Sequence, residues 1–324
     1  MKDDEFYTTY ETVESEVNHY ASQLKNKVVL CNCDDPFNSN FVKYFLTHFC
    51  ELKLKRLICT SFCISSPYEM QYSLFEEQQR FSVQKKGFLL DIKQGDIEKN
   101  FSISDFVKEL NGDGDFRSPE CIKYLKQADV VITNPPFSLF KEFVILMQKY
   151  NKRFLIIGNQ NALTYKEIFP LIKNNQVWTG YQFGEMKFRV PAYSEPRATR
   201  FWIDETGQKW RSLGNAMWLT NLDNERRHQD LKLTKRFDAY TYPKYDNYDA
   251  IHVKSIVEIP IDYKGIMGVP ITIINRYNYE QFEIIGEANH GSDNEFDFFK
   301  PTINGKEIFK RILIRNRNYE RKYC

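Results

Sequence analysis

Ala128 to Phe140 reads A-D-V-V-I-T-N-P-P-F-S-L-F, and its two halves obey different physics. Val130, Val131 and Ile132 form a short β-branched apolar run, the pattern of a central strand buried on both faces. Asn134, Pro135, Pro136 and Phe137 cannot extend it, since proline lacks the N–H that a ladder needs and fixes φ near about −65°. The strand therefore stops abruptly, with an amide and an aromatic ring at its carboxyl end. In open α/β sheets that is the edge where ligands bind.

Outward from this stretch, strands and helices alternate. Lys27 to Cys33 (K-V-V-L-C-N-C) predicts a strand, followed by the turn D-D-P-F-N-S-N and a helix over Phe41 to Phe49, with Asn38 or Ser39 as its N-cap. Leu54 to Thr60 and Gly87 to Ile92 read as further strands. The polar remainder of Ser61 to Leu110 reads as an insertion. G-D-G-D-F-R-S at 112–118 is a loop, and Pro119 starts a helix that runs to Gln127. A helix over Ser138 to Lys149, a strand over Arg153 to Ile157, a helix over Thr164 to Ile172 and a last sheet element at Val177 to Phe183 continue the series. Val13 to Gln23 reads as an amphipathic helix ahead of it all. Alternation of this kind predicts an α/β fold, a doubly wound and mostly parallel sheet with helices on both faces. After about Gly184 the rhythm breaks into strand-like pieces at Phe201 to Ile203, Ala216 to Thr220 and Val269 to Ile274. Two domains are expected, 1–183 and 184–324, the second mixed and strand-rich.

Composition narrows the function. The acidic opening M-K-D-D-E-F-Y is no signal peptide, and no apolar run approaches the roughly 18 residues of a membrane span, so a cytoplasmic protein is expected. Seven cysteines without a C-x-x-C pair suggest reduced thiols, and five scattered histidines give no metal-ligand spacing, so no metal is expected. Net charge is +2, but Lys187 to Arg236 carry eleven Lys/Arg against six Asp/Glu, and Gly305 to Cys324 carry seven against two. A polyanion would meet the second half of the chain, although a solvated surface would look the same.

The chemistry begins with N-P-P-F. The Asn134 side-chain oxygen and the Pro135 carbonyl can together accept both hydrogens of a planar –NH2 group. That draws the nitrogen toward tetrahedral geometry and frees its lone pair, while Phe137 can stack on the attached heterocycle. The bland alternative is a proline-stiffened turn, and the position directly after V-V-I-T favours the site. Asp34, Asp35 and Pro36 lie at the end of the first strand, where a carboxylate can meet an ammonium group and turn amides can bind a carboxylate. Asp115 and Phe116 suit an adenine amine and ring. Each is weak alone, since Asp34-Asp35 could be a simple cap and G-D-G-D-F a simple turn. Together they describe a ligand with an adenine head and a zwitterionic tail, as in S-adenosylmethionine.

D-E-F-Y-T at 4–8, C-N-C-D-D-P at 31–36, S-N-F-V-K-Y-F at 39–45, G-D-G-D-F-R-S at 112–118 and K-Q-A-D-V-V-I-T-N-P-P-F-S-L-F at 126–140 resemble the EcoRI-type adenine-specific DNA methyltransferases. F-L-I-I-G-N at 154–159, W-L-T-N-L-D at 218–223, Y-P-K-Y-D-N-Y-D at 242–249 and M-G-V-P-I-T at 267–272 extend the likeness over nearly the whole chain. N-P-P-F by itself is shared with RNA and protein-amide methyltransferases, and a catalytically silent DNA-binding protein could also keep the fold. The resemblance implies a Rossmann-like methyltransferase domain and a C-terminal target-recognition region. It implies methyl transfer from S-adenosylmethionine to N6 of adenine in double-stranded DNA by base flipping. A monomer acting beside a cognate restriction endonuclease is the implied setting. Carried over, Asn134, Pro135, Pro136 and Phe137 hold the adenine. Phe6, Tyr7, Thr8, Asp35 (with Asp34 as the alternative acid of the loop), Pro36, Asp115 and Phe116 meet the cofactor. In the basic clusters of 184–324, Arg197, Arg200, Arg226 and Arg227 are the DNA-contact candidates. Two departures stand out: Asn38-Ser39-Asn40 replaces the glycines of the cofactor loop, and Cys59-Thr60-Ser61 offers no acid for ribose hydroxyls.

Overall fold

The computed structural model describes residues 6–62, 86–97, 101–288 and 300–318. Asp4 and Glu5 of the D-E-F-Y-T motif and most of the polar insertion after Ser61 lie outside the described residues. The main sheet holds β1 (Tyr7–Thr8), β2 (Val28–Cys31), β3 (Arg56–Ser61), β4 (Phe88–Lys93), β5 (Val107–Glu109), β6 (Val130–Thr133), β7 (Arg153–Asn159), β8 (Trp178–Arg189), β9 (Phe201–Ile203) and β10 (Lys209–Thr220). Their order is β1-β8-β10-β7-β6-β2-β3-β4-β5, with β9 added on β10. The fold is mixed α/β around this large mixed sheet.

Only its centre is parallel. β2 pairs parallel with both β3 and β6, and β6 with β7. β4 and β5 on one side and β10 on the other run antiparallel to their neighbours, which corrects the expectation of a mostly parallel sheet. A β9–β10 hairpin needs no crossover helix, so the alternation that marks parallel strands is missing there. From β2 the chain builds outward to β3, then returns to the other flank of β2 and builds outward through β6 and β7. Strand order thus reverses between β2 and β6.

All four residues of β2 and all four of β6 are buried, as their unbroken apolar runs require. The helix Asn40–Thr47 turns Phe41, Val42, Tyr44 and Phe45 inward. Its cap is Ser39, whose hydroxyl accepts from the Phe41 and Val42 amides. The helix Phe140–Lys149 buries Phe140, Phe143, Val144 and Met147, one stripe at helical spacing. Gly158 on β7 admits that helix, since a Cβ there would lie 2.3 Å from the Phe140 ring.

Contacts divide the chain into two units, 1–160 with 182–222, and 161–181 with 223–324. The units interleave, and the boundary foreseen at 184 falls inside β8. β9 and β10 belong with the first unit, where β10 pairs with β7 along Ala216 to Thr220. The second unit holds a sheet of β11 (Ala250–His252), β12 (Ile266–Val269), β13 (Phe282–Ala288) and, after the hairpin of β14 (Thr302–Ile303) and β15 (Lys306–Glu307), β16 (Arg311–Asn316). Its order is β11-β12-β16-β13, around Tyr245, Ala250, Ile285 and Leu313.

Three smaller expectations change. Pro270 ends β12, so Ile271–Arg276 is a 3-10 helix instead of strand. Pro170 sits in the first turn of the helix Phe169–Lys173 instead of near its end, with a separate 3-10 turn at Gln160–Thr164. The N-terminal helix spans Tyr10–Val17 and gives way to a 3-10 turn at Asn18–Tyr20 and a short helix at Ala21–Leu24.

Candidate active site

The prolines after β6 leave Asn134 half-buried at the strand end with its amide orientation fixed. Asn134 Nδ2 donates to the Phe6 carbonyl at 2.6 Å. A carbonyl can only accept, so the nitrogen must face Phe6 and the oxygen must face away from it. That oxygen, Oδ1, is buried and has no hydrogen-bond partner. Buried polar atoms are nearly always paired, so an orphan acceptor here marks a place for a donor.

Phe137 stacks on Phe6, with ring centroids 5.3 Å apart and 21° between planes, and Phe188 meets both rings edge-on. A planar ligand stacking on Phe137 must take its opposite face or displace Phe6. Pro135 is buried and Pro136 half-buried beside them.

Asp34 lies one strand away, in the turn that follows β2. Its carboxylate accepts from the Thr133 hydroxyl at 2.5 Å and from the Ser39 hydroxyl at 2.7 Å, and its carbonyl accepts from the Cys59 thiol at 2.9 Å. Thr133 is the last residue of β6, so Asp34 ties the N-P-P-F motif to the loop after β2. Burial pushes the Asp34 carboxyl up to about 6, against the pull of the two hydroxyls. Burial also raises the Cys31, Cys33 and Cys59 thiols, which keeps them protonated and inert.

Asp35 organises the turn itself. Its Oδ1 accepts from the Phe37 and Asn38 amides at 2.8 and 2.9 Å, and Pro36 is buried beneath it. No residue from 34 to 40 has a positive φ, so the loop does not require the missing glycines. Their replacements carry contacts instead: Ser39 caps the helix, and Asn40 Nδ2 donates to the Thr8 carbonyl at 2.7 Å. With Asn134 holding Phe6, this fastens Phe6, Tyr7 and Thr8 to the same edge.

The G-D-G-D-F loop reaches that edge through a close backbone approach. A Cβ on Gly114, at φ +82°, would lie 1.9 Å from the carbonyl oxygen of Ser61, the last residue of β3. Asp115 is paired with Arg117 at 2.6 Å, which holds its carboxyl below the usual range. Phe116 is only 4% exposed and packs on Phe143 in the core, 5.1 Å between centroids. It backs the loop and offers no open ring face.

Thr8 Oγ1 and Asn32 Oδ1 are also buried without hydrogen-bond partners. They stand in β1 and directly after β2, while other buried unpartnered atoms, such as Glu142 Oε2, Trp218 Nε1 and Asn275 Oδ1, lie elsewhere in the chain.

The basic candidates fare differently. Arg197 and Arg200 are exposed, and the Arg200 guanidinium lies against Gly214, where a Cβ would come within 2.0 Å of it. Arg226 is half-buried and donates to the Tyr181 carbonyl. Arg227 lies 3.4 Å over the Trp178 ring and bonds Asn175, and burial lowers its pKa. Both serve the packing of their own unit. Among the described residues, no group of three or more His, Cys, Asp or Glu could hold a metal, and no helix is long and apolar enough to cross a membrane.

A sequence profile described as "Adenine-specific methyltransferase EcoRI" matches residues 1–317. The chain belongs to this family. It is 44% identical to the Type II methyltransferase M.EcoRI of Escherichia coli over 327 residues, 99% of this chain and 95% of that one. It is 38% identical to the Type II methyltransferase M.MpnI of Mycoplasma pneumoniae, over 88% of this chain and 82% of that one. The Type II methyltransferase M.MgeORF184P of Mycoplasma genitalium is 36% identical, over 97% of this chain and 96% of that one. No solved structure matches. This EcoRI-family chain is thus an adenine-specific methyltransferase, and the likeness reaches through both units.

Proposed function

We propose that the protein transfers a methyl group to N6 of adenine in duplex DNA, as the modification half of a type II restriction–modification system. The observation that carries the reading is the buried, unpartnered Oδ1 of Asn134, held in place by the Phe6 carbonyl. It is an acceptor awaiting a donor at the end of a central strand, which is what an exocyclic amine supplies. Asn134 and the Pro135 carbonyl would take the two N6 hydrogens, and Phe137 would stack on the ring. N6 is held in the stack and pair of a duplex, so the base must swing out first, at a cost of a few kcal/mol.

S-adenosylmethionine fits the same edge and, when bound, supplies the electrophilic methyl group. Asp34 and Asp35 would face its ammonium end, Thr8 and Asn32 offer buried polar atoms, and Asp115 would meet its adenine amine, with Phe116 supporting the loop from behind. A Rossmann-like, doubly wound layout around the strand-order reversal agrees with a cofactor at this edge. The chain's own residues do the rest by orientation: amine, ring and methyl donor are brought into line, and no metal or charged base is required. The second half of the chain, with the exposed Arg197 and Arg200, would contribute phosphate contacts.

Purified protein with radiolabelled S-adenosylmethionine should place label on N6 of adenine at one short sequence, and protect that sequence from a matching endonuclease. Label on cytosine, on RNA in preference to DNA, or on no nucleic acid refutes the reading.

A further inference from the structure

The hairpin of β9 and β10 carries large apolar side chains in the open, with Ile203 55% and Trp202 36% exposed. In its register Phe201 faces Arg211, Trp202 faces Trp210 and Ile203 faces Lys209. Side chains alternate along a strand, so Phe201, Arg211, Ile203 and Lys209 share one face and the two tryptophans share the other. On the tryptophan face the indoles stack nearly parallel, 6.1 Å apart and 6° between planes. The turn is held as firmly. Asp204 accepts from the Thr206 and Gln208 amides and, at 2.7 Å, from the Trp210 indole N–H, while Gly207 takes φ +83°. This is a stiff hairpin with an exposed isoleucine beside its turn.

The isoleucine face leads to the active site. The Arg211 guanidinium lies 5.1 Å over the Phe6 ring, and Phe6 stacks on Phe137. Ile203 stands about 7 Å farther along that face, two residues of strand rise. Residues 185–211 carry six Lys/Arg and four Asp/Glu, and Arg197 and Arg200 are exposed. Cations beside a rigid apolar side chain match a duplex: the cations meet phosphates, and a residue of isoleucine's kind can enter a base step.

We infer that Ile203 is a wedge that enters the duplex and fills the space left by the target base as it swings toward Asn134. The inference rests on the adenine-methylation reading above. The stacked tryptophans and the Asp204 turn keep the wedge stiff, so little ordering remains to be done on binding.

The test compares wild type, Ile203→Ala and Ile203→Leu on two duplexes carrying the target site. In one the target adenine is paired; in the other it faces an abasic position, where leaving the stack is easy. Single-turnover methylation is read on both, and 2-aminopurine fluorescence at the target position reports extrusion. Ile203→Ala should lose about tenfold or more on the paired duplex, with weaker extrusion, and recover on the abasic-partner duplex. Ile203→Leu should keep most activity. An unchanged rate, an equal loss on both duplexes, or weaker DNA binding with normal extrusion overturns the wedge. Ile203 is exposed, so the alanine variant should melt as wild type does. If wild type methylates neither duplex, the underlying methyltransferase reading fails, a result separate from any failure of the wedge.

Discussion

The ends of β6 and β2 are neighbours in one sheet and present opposite chemistry. At β6 the amide of Asn134 uses its nitrogen and leaves its oxygen unsatisfied. Just after β2 the carboxylate of Asp34 accepts from two hydroxyls and is buried, at a cost in its own ionisation. One end is an acceptor with a hydrogen bond still to make; the other is a buried carboxyl that braces the loop after β2. A residue's capacity to bind thus follows from what its neighbours leave undone, and the more strongly charged residue need not be the one left with an open bond.

The largest effect should come from the β6 end. Asn134→Ala removes the acceptor and should lower the single-turnover rate by about 10²–10³-fold, the scale of losing one aimed hydrogen-bonding group. Cofactor affinity, measured by calorimetry, should hardly move. Equal losses of affinity and rate would erase the contrast between the two ends.

Asp34 tests the other side. Its folded pKa, about 6, lies above the ordinary 3.8, so the native state binds the proton more tightly than the unfolded chain does. Stability is therefore greatest below about pH 4 for this group and falls as pH rises through about 6. The loss is on the order of 3 kcal/mol once the group is ionised. Asp34→Asn should flatten that part of a stability–pH curve measured by denaturant unfolding; parallel curves for the two proteins would contradict the burial argument. If the Asp34 anion meets the cofactor's ammonium, wild-type affinity should also weaken as pH drops below about 6, and the Asn variant should show no such step.

Gly158→Ala probes the scaffold beneath both ends. The added methyl meets the buried Phe140 ring and should cost about 1–3 kcal/mol by overpacking. Thermal melting would measure it, and an unchanged midpoint would mean that Phe140 moves freely. Ser39→Ala should have the smallest effect, about 1 kcal/mol from the lost helix cap. It also removes one donor to Asp34, so it should raise the Asp34 pKa further; an unaltered pH profile would deny Ser39 that role.

Much of this was legible in the chain itself. V-V-I-T before N-P-P-F determined a buried strand with an abrupt polar end, because β-branched residues extend and prolines cannot pair. Pro119, and the apolar spacing of the helices, determined where most helices lie. The recurring family segments determined the kind of reaction. Other features had no local signal. The antiparallel flanks of the sheet, the pairing of β10 with β7 and the burial of Phe116 arise from contacts far apart in sequence. Periodicity records which face of an element is buried, but not which element covers it. The same holds for Asp34, Thr133 and Phe6. Sequence supplied a carboxylate, a hydroxyl and a carbonyl at separate places, and only the fold decided that the first two are joined by a hydrogen bond and that the third fixes the orientation of the Asn134 amide.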